Sequence, residues 1–279
     1  MVKYICKVIL ICVFVCLMLF VSMYSRTKSD LLYSIFPTII SECDNSWVEN
    51  TFVVGHATGG IDGSNYTNSV ESFLHTINSG VNVIEVDFQY TVDKELVCYH
   101  TLSDVYVGLR NGVLFEDFMN LKVQGKYTPM SFEDVISIMY DNPEIYVAVD
   151  TKYDNLIEMI RDIYNKCKDE NILNRLIIQL YYPNQKKEVQ EIYAFPNMLF
   201  APYKYSTNPY DTLKVCYQEG INVVVVNYKN WSYDIFKLFK SKNIYVFTYT
   251  VNRKDIADKL LSEGVYGIYT DFLLDYEKV

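Results

Sequence analysis

From residue 51 onward, short apolar runs rich in β-branched residues alternate with stretches whose apolar positions recur three and four apart. The first pattern predicts buried strands and the second predicts amphipathic helices. The strand-like runs are FVVGH (52–56), VNVIEVDF (81–88), ELVCYH (95–100), EIYVAVDTK (144–152), RLIIQLY (175–181), MLFAPY (198–203), INVVVVNY (221–228), IYVFTYTVN (244–252) and VYGIYTD (265–271). Between the first two, NSVESFLHTINSG (68–80) carries a stripe of Val70, Phe73, Leu74 and Ile77, with Gly80 as a stop. SFEDVISIMYDN (131–142) opens on Ser131 as an N-cap, and Asp134 completes a variant capping box. Further helices are expected within 155–171, 186–195, 211–220, 232–243 and 253–264. This alternation, with about eight parallel-type strands, predicts a (β/α)₈ TIM barrel over residues 49–279. A doubly wound open sheet is the alternative, and it lacks the expected G-x-G-x-x-G after the first strand.

The N-terminus follows a different pattern. VILICVFVCLMLFVSMYS (8–25) contains no charge, and about 18–20 apolar residues suffice to span a bilayer as a helix. The run is longer than a signal-peptide core and has no small-residue cleavage site. Residues 1–26 therefore read as an uncleaved, single-pass membrane anchor, and 27–48 as a stalk. Lys3 and Lys7 on one side nearly balance Arg26 and Lys28 on the other. The short tail before the helix favours a cytoplasmic N-terminus and an extracytoplasmic domain.

Composition narrows the function. The formal charge of -9 argues against a nucleic-acid binder, which needs a basic face. The seven cysteines show no metal spacing and read as small buried hydrophobes, although Cys43 could join a disulfide outside the cell. The 26 tyrosines have no low-complexity context and fit a carbohydrate or interfacial surface.

In a TIM barrel the chemistry sits at the C-terminal ends of the strands. His56 ends the first predicted strand, Glu85 and Asp87 the second, and His100 the short one after it. Asp150 and Lys152 end the next, and Gln179 and Tyr181 the one following. Residues two apart in a strand share a face, so Glu85 points with Asp87, and Asp150 with Lys152. Buried charges need partners. Three converging carboxylates suit a hard divalent cation, Ca²⁺ or Mg²⁺; internal salt bridges such as Lys152 with Asp87 are the plainer reading. The histidines add two groups able to exchange protons near neutrality. His75, inside a helix, reads as a surface or packing residue.

In order and spacing these pieces resemble the glycerophosphodiester phosphodiesterase family and its phosphatidylinositol-phospholipase-C-like relatives. The resemblance covers residues 52–273. HAT at His56 stands for the family's His-Arg-Gly, TNS at Thr67 for Glu-Asn-Thr, EVD at Glu85 for Glu-x-Asp, and HT at His100 for His-Asp. TPMSFEDV, VDTK, FTYTVN and GVYGIYTDF resemble later family motifs. The resemblance implies a metal-dependent phosphodiesterase in which His56 and His100 are the acid/base pair. It further implies that Glu85, Asp87 and Asp150 bind the cation and that Lys152 binds the phosphate. Asn68 and Gln179 are further candidates for substrate contact. The partner is then a small phosphodiester or a lipid headgroup, with the membrane held through the N-terminal helix.

Departures from the family pattern leave a second expectation open. Ala57 replaces the Arg that would grip phosphate bidentately, and Thr67 replaces a Glu. His100 is followed by Thr101 rather than Asp. A catalytically silent barrel that binds a phosphorylated glycan or lipid headgroup is the alternative, and a membrane scaffold a third. Gly59, Gly60 and Gly63 either cradle a phosphate through their amides or form a flexible turn.

Overall fold

The computed structural model describes residues 37–49, 51–102 and 112–276. Eight parallel strands close on one another: β1 (Val53–Gly55), β2 (Val83–Tyr90), β5 (Tyr146–Thr151), β6 (Leu176–Leu180), β7 (Asn197–Phe200), β8 (Val223–Asn227), β9 (Tyr245–Tyr249) and β10 (Gly267–Thr270). β10 pairs with β1, and Gly55 of β1 pairs with Ile84 of β2, which completes the ring. This is the predicted TIM barrel.

One expected strand has a different role. Within residues 95–100, β3 (Leu96–Cys98) does form, but it runs antiparallel to the outer half of β2, with Phe88 opposite Cys98. The chain reverses at Thr91–Glu95, where the amide of Thr91 donates to Glu95 O and Lys94 adopts φ 67°. Such a tight turn returns the chain beside the strand it has just left, whereas a parallel partner needs a long crossover. With β4 (Met130–Ser131), β3 forms a flap outside the closed ring.

The helices follow the apolar spacing. In Leu156–Lys166 the buried positions Leu156, Met159, Ile160 and Ile163 recur three and four apart. Phe132–Asp141 starts from the expected capping box, in which Ser131 accepts from Asp134 N and Asp134 accepts from Ser131 N. In Val70–Asn78 the buried face differs from the expected stripe. Ser72, Phe73 and Thr76 are buried while Leu74 is exposed. Thr76 points inward because its hydroxyl donates to Thr58 O at 2.7 Å, fixing the loop that follows β1. His75 is exposed, as expected.

In the glycine loop the amides of Gly59 and Gly60 are already committed within the protein. The Gly59 amide donates to His56 O at 2.7 Å, and the Gly60 amide to Asp271 O at 2.6 Å. Gly59 has φ 83°, and a Cβ there would stand 2.1 Å from the Thr76 hydroxyl. Glycine is thus required by close packing on the helix.

At the opposite end, residues 39–48 lie across the N-terminal ends of the strands. Ile39 donates to Lys242 O, Glu42 to Gly220 O and Asp44 to Pro196 O, each from the backbone amide. Asn45 Oδ1 accepts from Met198 N and from the Trp47 indole. Trp47 packs on Phe247 of β9 with ring centroids 5.5 Å apart, and Phe247 packs edge-on to Tyr269 of β10 at 6.2 Å. A run of ring contacts therefore links this segment to the last two strands.

Residues 1–26, read as an anchor, and 27–36 of the stalk lie outside the described residues. Among the described residues no helix is long and apolar enough to cross a membrane. Cys43, Cys98, Cys167 and Cys216 are buried free thiols.

Candidate active site

At the C-terminal ends of the strands a cavity of about 430 Å³ opens, lined among others by His56, His100, Glu85, Asp150, Lys152 and Gln179. Residues drawn from five separate strand ends in the sequence thus line one cavity. Strand alternation delivers Glu85 and Asp87 from β2 and Asp150 from β5, and Asp87 and Asp150 pair in register. Their oxygens lie within 4.8 Å of one another, all three residues buried.

Each carboxylate is held by a different device. Ala57 takes φ 47°, and its N–H donates to Glu85 Oε2 at 2.6 Å. Asn68 donates to Asp87 Oδ2 at 2.8 Å and accepts from the Asp87 amide at 3.0 Å. Asn68 is fully buried, so both ends of its side chain position Asp87. The Tyr181 phenol donates to Asp150 Oδ1 while accepting from the Thr151 amide. Gln179 donates to the same phenol oxygen at 3.2 Å and lines the cavity. The remaining oxygens of Asp87 and Asp150 face the Lys152 ammonium at 2.9 and 2.5 Å. The plainer reading of an internal salt bridge is therefore present within the acidic cluster, beside Glu85.

The electrostatics divide these carboxyls. Burial, then the charges of Asp87 and Asp150, push Glu85 well above the usual carboxylate range. Burial alone would raise Asp87 too, but the charge and hydrogen bond of Lys152 bring it below the usual range. Burial opposes the charge on Lys152, yet Asp150, Asp87 and Glu85 together hold it firmly protonated. Three carboxyls facing one ammonium leave room for further positive charge. An all-oxygen, buried donor set of this kind fits a hard divalent cation.

His56 opens the turn after β1 and is 9% exposed. Its Nδ1 lies 2.8 Å from Oδ1 of Asp271, just past β10. Asn252 and Asn65 donate to the other oxygen of Asp271 at 2.7 and 3.1 Å. Burial raises the Asp271 carboxyl, but its bonds to His56, Asn252 and Asn65 outweigh that and hold it below the usual range. His100 is more exposed, and its Nδ1 lies 2.8 Å from the Thr101 hydroxyl. Between the histidines stands Tyr66, edge-on to His56 at 4.8 Å and to His100 at 5.1 Å.

A family model for the "Glycerophosphoryl diester phosphodiesterase family" matches residues 60–274. The chain belongs to that family. It is, by that membership, a phosphoric diester hydrolase, and the family's members are generally dependent on a divalent metal. No curated protein sequence matches it. Among solved structures, a glycerophosphodiester phosphodiesterase from Parabacteroides distasonis superposes with a TM-score of 0.63 at 19% identity, covering 80% of this chain and 93% of that one. A phosphodiesterase from Oleispira antarctica, solved with the product sn-glycerol-3-phosphate, gives 0.67 at 14% identity, covering 81% and 96%. The glycerophosphodiester phosphodiesterase of Thermotoga maritima gives 0.56 at 16%, also covering 81% and 96%. At such identities the likeness is one of fold.

For this member of the phosphodiesterase family, sequence reasoning left two features unread. Asp271 was visible as a carboxylate at the end of the last strand, within the GIYTDF motif, but had no role attached. Tyr66, Tyr203, Tyr249 and Tyr269 line the cavity, whereas the abundance of tyrosine had pointed only to a surface.

Proposed function

We propose that the protein is a divalent-cation-dependent phosphodiesterase acting on a glycerophosphodiester, a lipid headgroup or a cell-envelope phosphodiester. One observation carries the reading: His56 and His100 line the same cavity as Glu85, Asp150 and Lys152. Proton-transfer groups, a cation-binding set and a phosphate-binding ammonium then act on one bound ester.

Glu85, Asp87 and Asp150 would hold the cation. A Ca²⁺ or Mg²⁺ ion there would stabilise charge building on the phosphoryl oxygens. Lys152 adds a fixed positive charge beside them. Donation of the His56 Nδ1 proton to Asp271 leaves Nε2 as an acceptor, and the carboxylate stabilises the imidazolium that forms. His56 is therefore the base that takes the proton from the substrate hydroxyl next to the phosphate. That oxygen bonds to phosphorus as the ester bond to the departing alcohol breaks, and His100 protonates the departing alkoxide. Water then opens the cyclic phosphate with the two histidines in exchanged roles.

We further propose that residues 1–26 anchor the chain in a membrane, with the domain outside the cytoplasm; the uncharged run of 8–25 supports this.

The test uses the full-length chain in detergent against a chromogenic phosphodiester and a panel of glycerophosphodiesters. Each is run with Ca²⁺, Mg²⁺ or chelator, alongside His56→Ala. Turnover that needs both the cation and His56 is expected. A folded protein that turns over none of them, yet binds phosphorylated ligands, would show a binding barrel and make Ala57 the first suspect.

A further inference from the structure

We propose that Tyr66 is a positioning residue whose ring holds His100 over the departing alcohol; this rests on the phosphodiesterase reading above. The starting observation is a difference between the two histidines. His56 is fixed by Asp271, which comes from the far end of the chain. The Nδ1 partner of His100 is the hydroxyl of Thr101, its own neighbour in sequence. That bond moves with the residue and cannot aim the ring at the rest of the site. Among the described residues the one ring packed on His100 is Tyr66, edge-on at 5.1 Å, and the same tyrosine meets His56 at 4.8 Å. One ring therefore references the loosely held histidine to the firmly held one.

The chain holds that ring against local preference. Tyr66 has φ 56°, a left-handed conformation that a bulky side chain rarely takes. Such strain persists only where the surroundings over-determine it. Here both flanks are pinned. The side-chain amide of Asn65 donates to Asp271 Oδ2 at 3.1 Å, and its backbone carbonyl accepts from the Gln124 amide at 2.9 Å. The Thr67 hydroxyl donates to Ser72 at 2.8 Å, and Asn68 grips Asp87 with both polar ends. The phenol itself shares a hydrogen bond with the Thr250 hydroxyl. Yet the residue is 37% exposed and lines the cavity, so burial does not account for the anchoring. A loop tied to Asp271 on one side and to Asp87 on the other carries the ring to the gap between His56 and His100. There it sets the distance and tilt of the acid, and an error of about 1 Å in such a group can cost about 100-fold in rate.

The experiment uses two esters of glycerol phosphate, one with choline and one with 4-nitrophenol. Release of the alcohol is followed in a single turnover by the full-length chain. Choline leaves as an alkoxide that needs a proton, whereas 4-nitrophenolate leaves without one, so only the first reports on the acid. Tyr66→Ala should slow the choline ester about 100-fold and the nitrophenyl ester less than about threefold, the same pattern as His100→Ala. Tyr66→Phe, which keeps the ring, should restore most of the choline rate. In the His100→Ala background Tyr66→Ala should add less than about threefold, because the two residues act as one unit. Carbon relaxation of the three histidine rings gives a readout without turnover. Tyr66→Ala should loosen His100 towards the exposed His75 and leave His56 in place. Equal slowing of both esters by Tyr66→Ala overturns the inference, as does additivity with His100→Ala or a His100 that stays as ordered as before. Equal slowing of both esters by His100→Ala strikes the acid role and the inference with it. Failure of the unaltered protein to hydrolyse either ester counts against the phosphodiesterase reading, while the order of His100 still decides the inference.

Discussion

Nδ1 of His56 and Oδ1 of Asp271, 215 positions apart in the chain, lie 2.8 Å apart at the seam where the last strand meets the first. Closure of the barrel makes this pair. His56→Ala should lower kcat by about 10²–10⁴-fold, the usual scale for a lost acid–base group. Asp271→Asn keeps the shape but loses the charge and disturbs the tautomer. It should lower kcat by about 100-fold or more with KM little changed. Steady-state kinetics on any substrate that the protein turns over separates the two parameters.

The same carboxyl has a pH signature. Asp271 is held below its ordinary value of 3.8, so it binds its proton less readily folded than unfolded. Its contribution to stability is full above that value and fades as pH falls through it towards the folded pKa. Urea unfolding of the unaltered protein and of Asp271→Asn should differ by a constant amount near neutrality. The gap should narrow below about pH 4. A gap that widens in acid would contradict the assignment.

Cation binding should be visible without any substrate. A ligand that binds the native state alone stabilises it by about 2.7 kcal/mol at a hundred times its Kd. Thermal melts should shift upward with Ca²⁺ or Mg²⁺ and return with chelator. Glu85→Gln and Asp150→Asn should blunt the shift, because each removes a donor from the buried set. His100→Ala should leave the shift intact while lowering turnover.

Trp47→Ala tests the base of the barrel. The indole is 3% exposed and packs on Phe247. Truncating a buried ring of this size typically costs about 3–5 kcal/mol. Chemical denaturation should show the loss.

Much of the fold was legible because its grammar is local. Period-two strands announced that Glu85 travels with Asp87 and that Asp150 travels with Lys152, and closure of the ring then brought the two pairs together. The capping box at Ser131 was legible for the same reason, since its partner is three residues away. What was hidden depends on contacts between distant segments. Leu74 fitted the helical stripe as well as Thr76, but the loop after β1 needed a hydroxyl beneath it, so the threonine went inside. The direction of β3 was set by the turn at Thr91–Glu95, not by its apolar content. Asp271 and Tyr269 gain their meaning only when β10 closes beside β1. Asn68 stood out through the TNS motif as a candidate for substrate contact; its bonds to Asp87, 19 residues away, become visible only when β2 packs beside it.

Trp47, Phe247 and Tyr269 form a run of ring contacts with one end in the segment before the barrel and the other in the cavity wall. Packing at the foot of the barrel and the shape of the pocket are therefore linked: a change at Trp47 is one intervening ring, Phe247, away from a residue that the substrate cavity is built on.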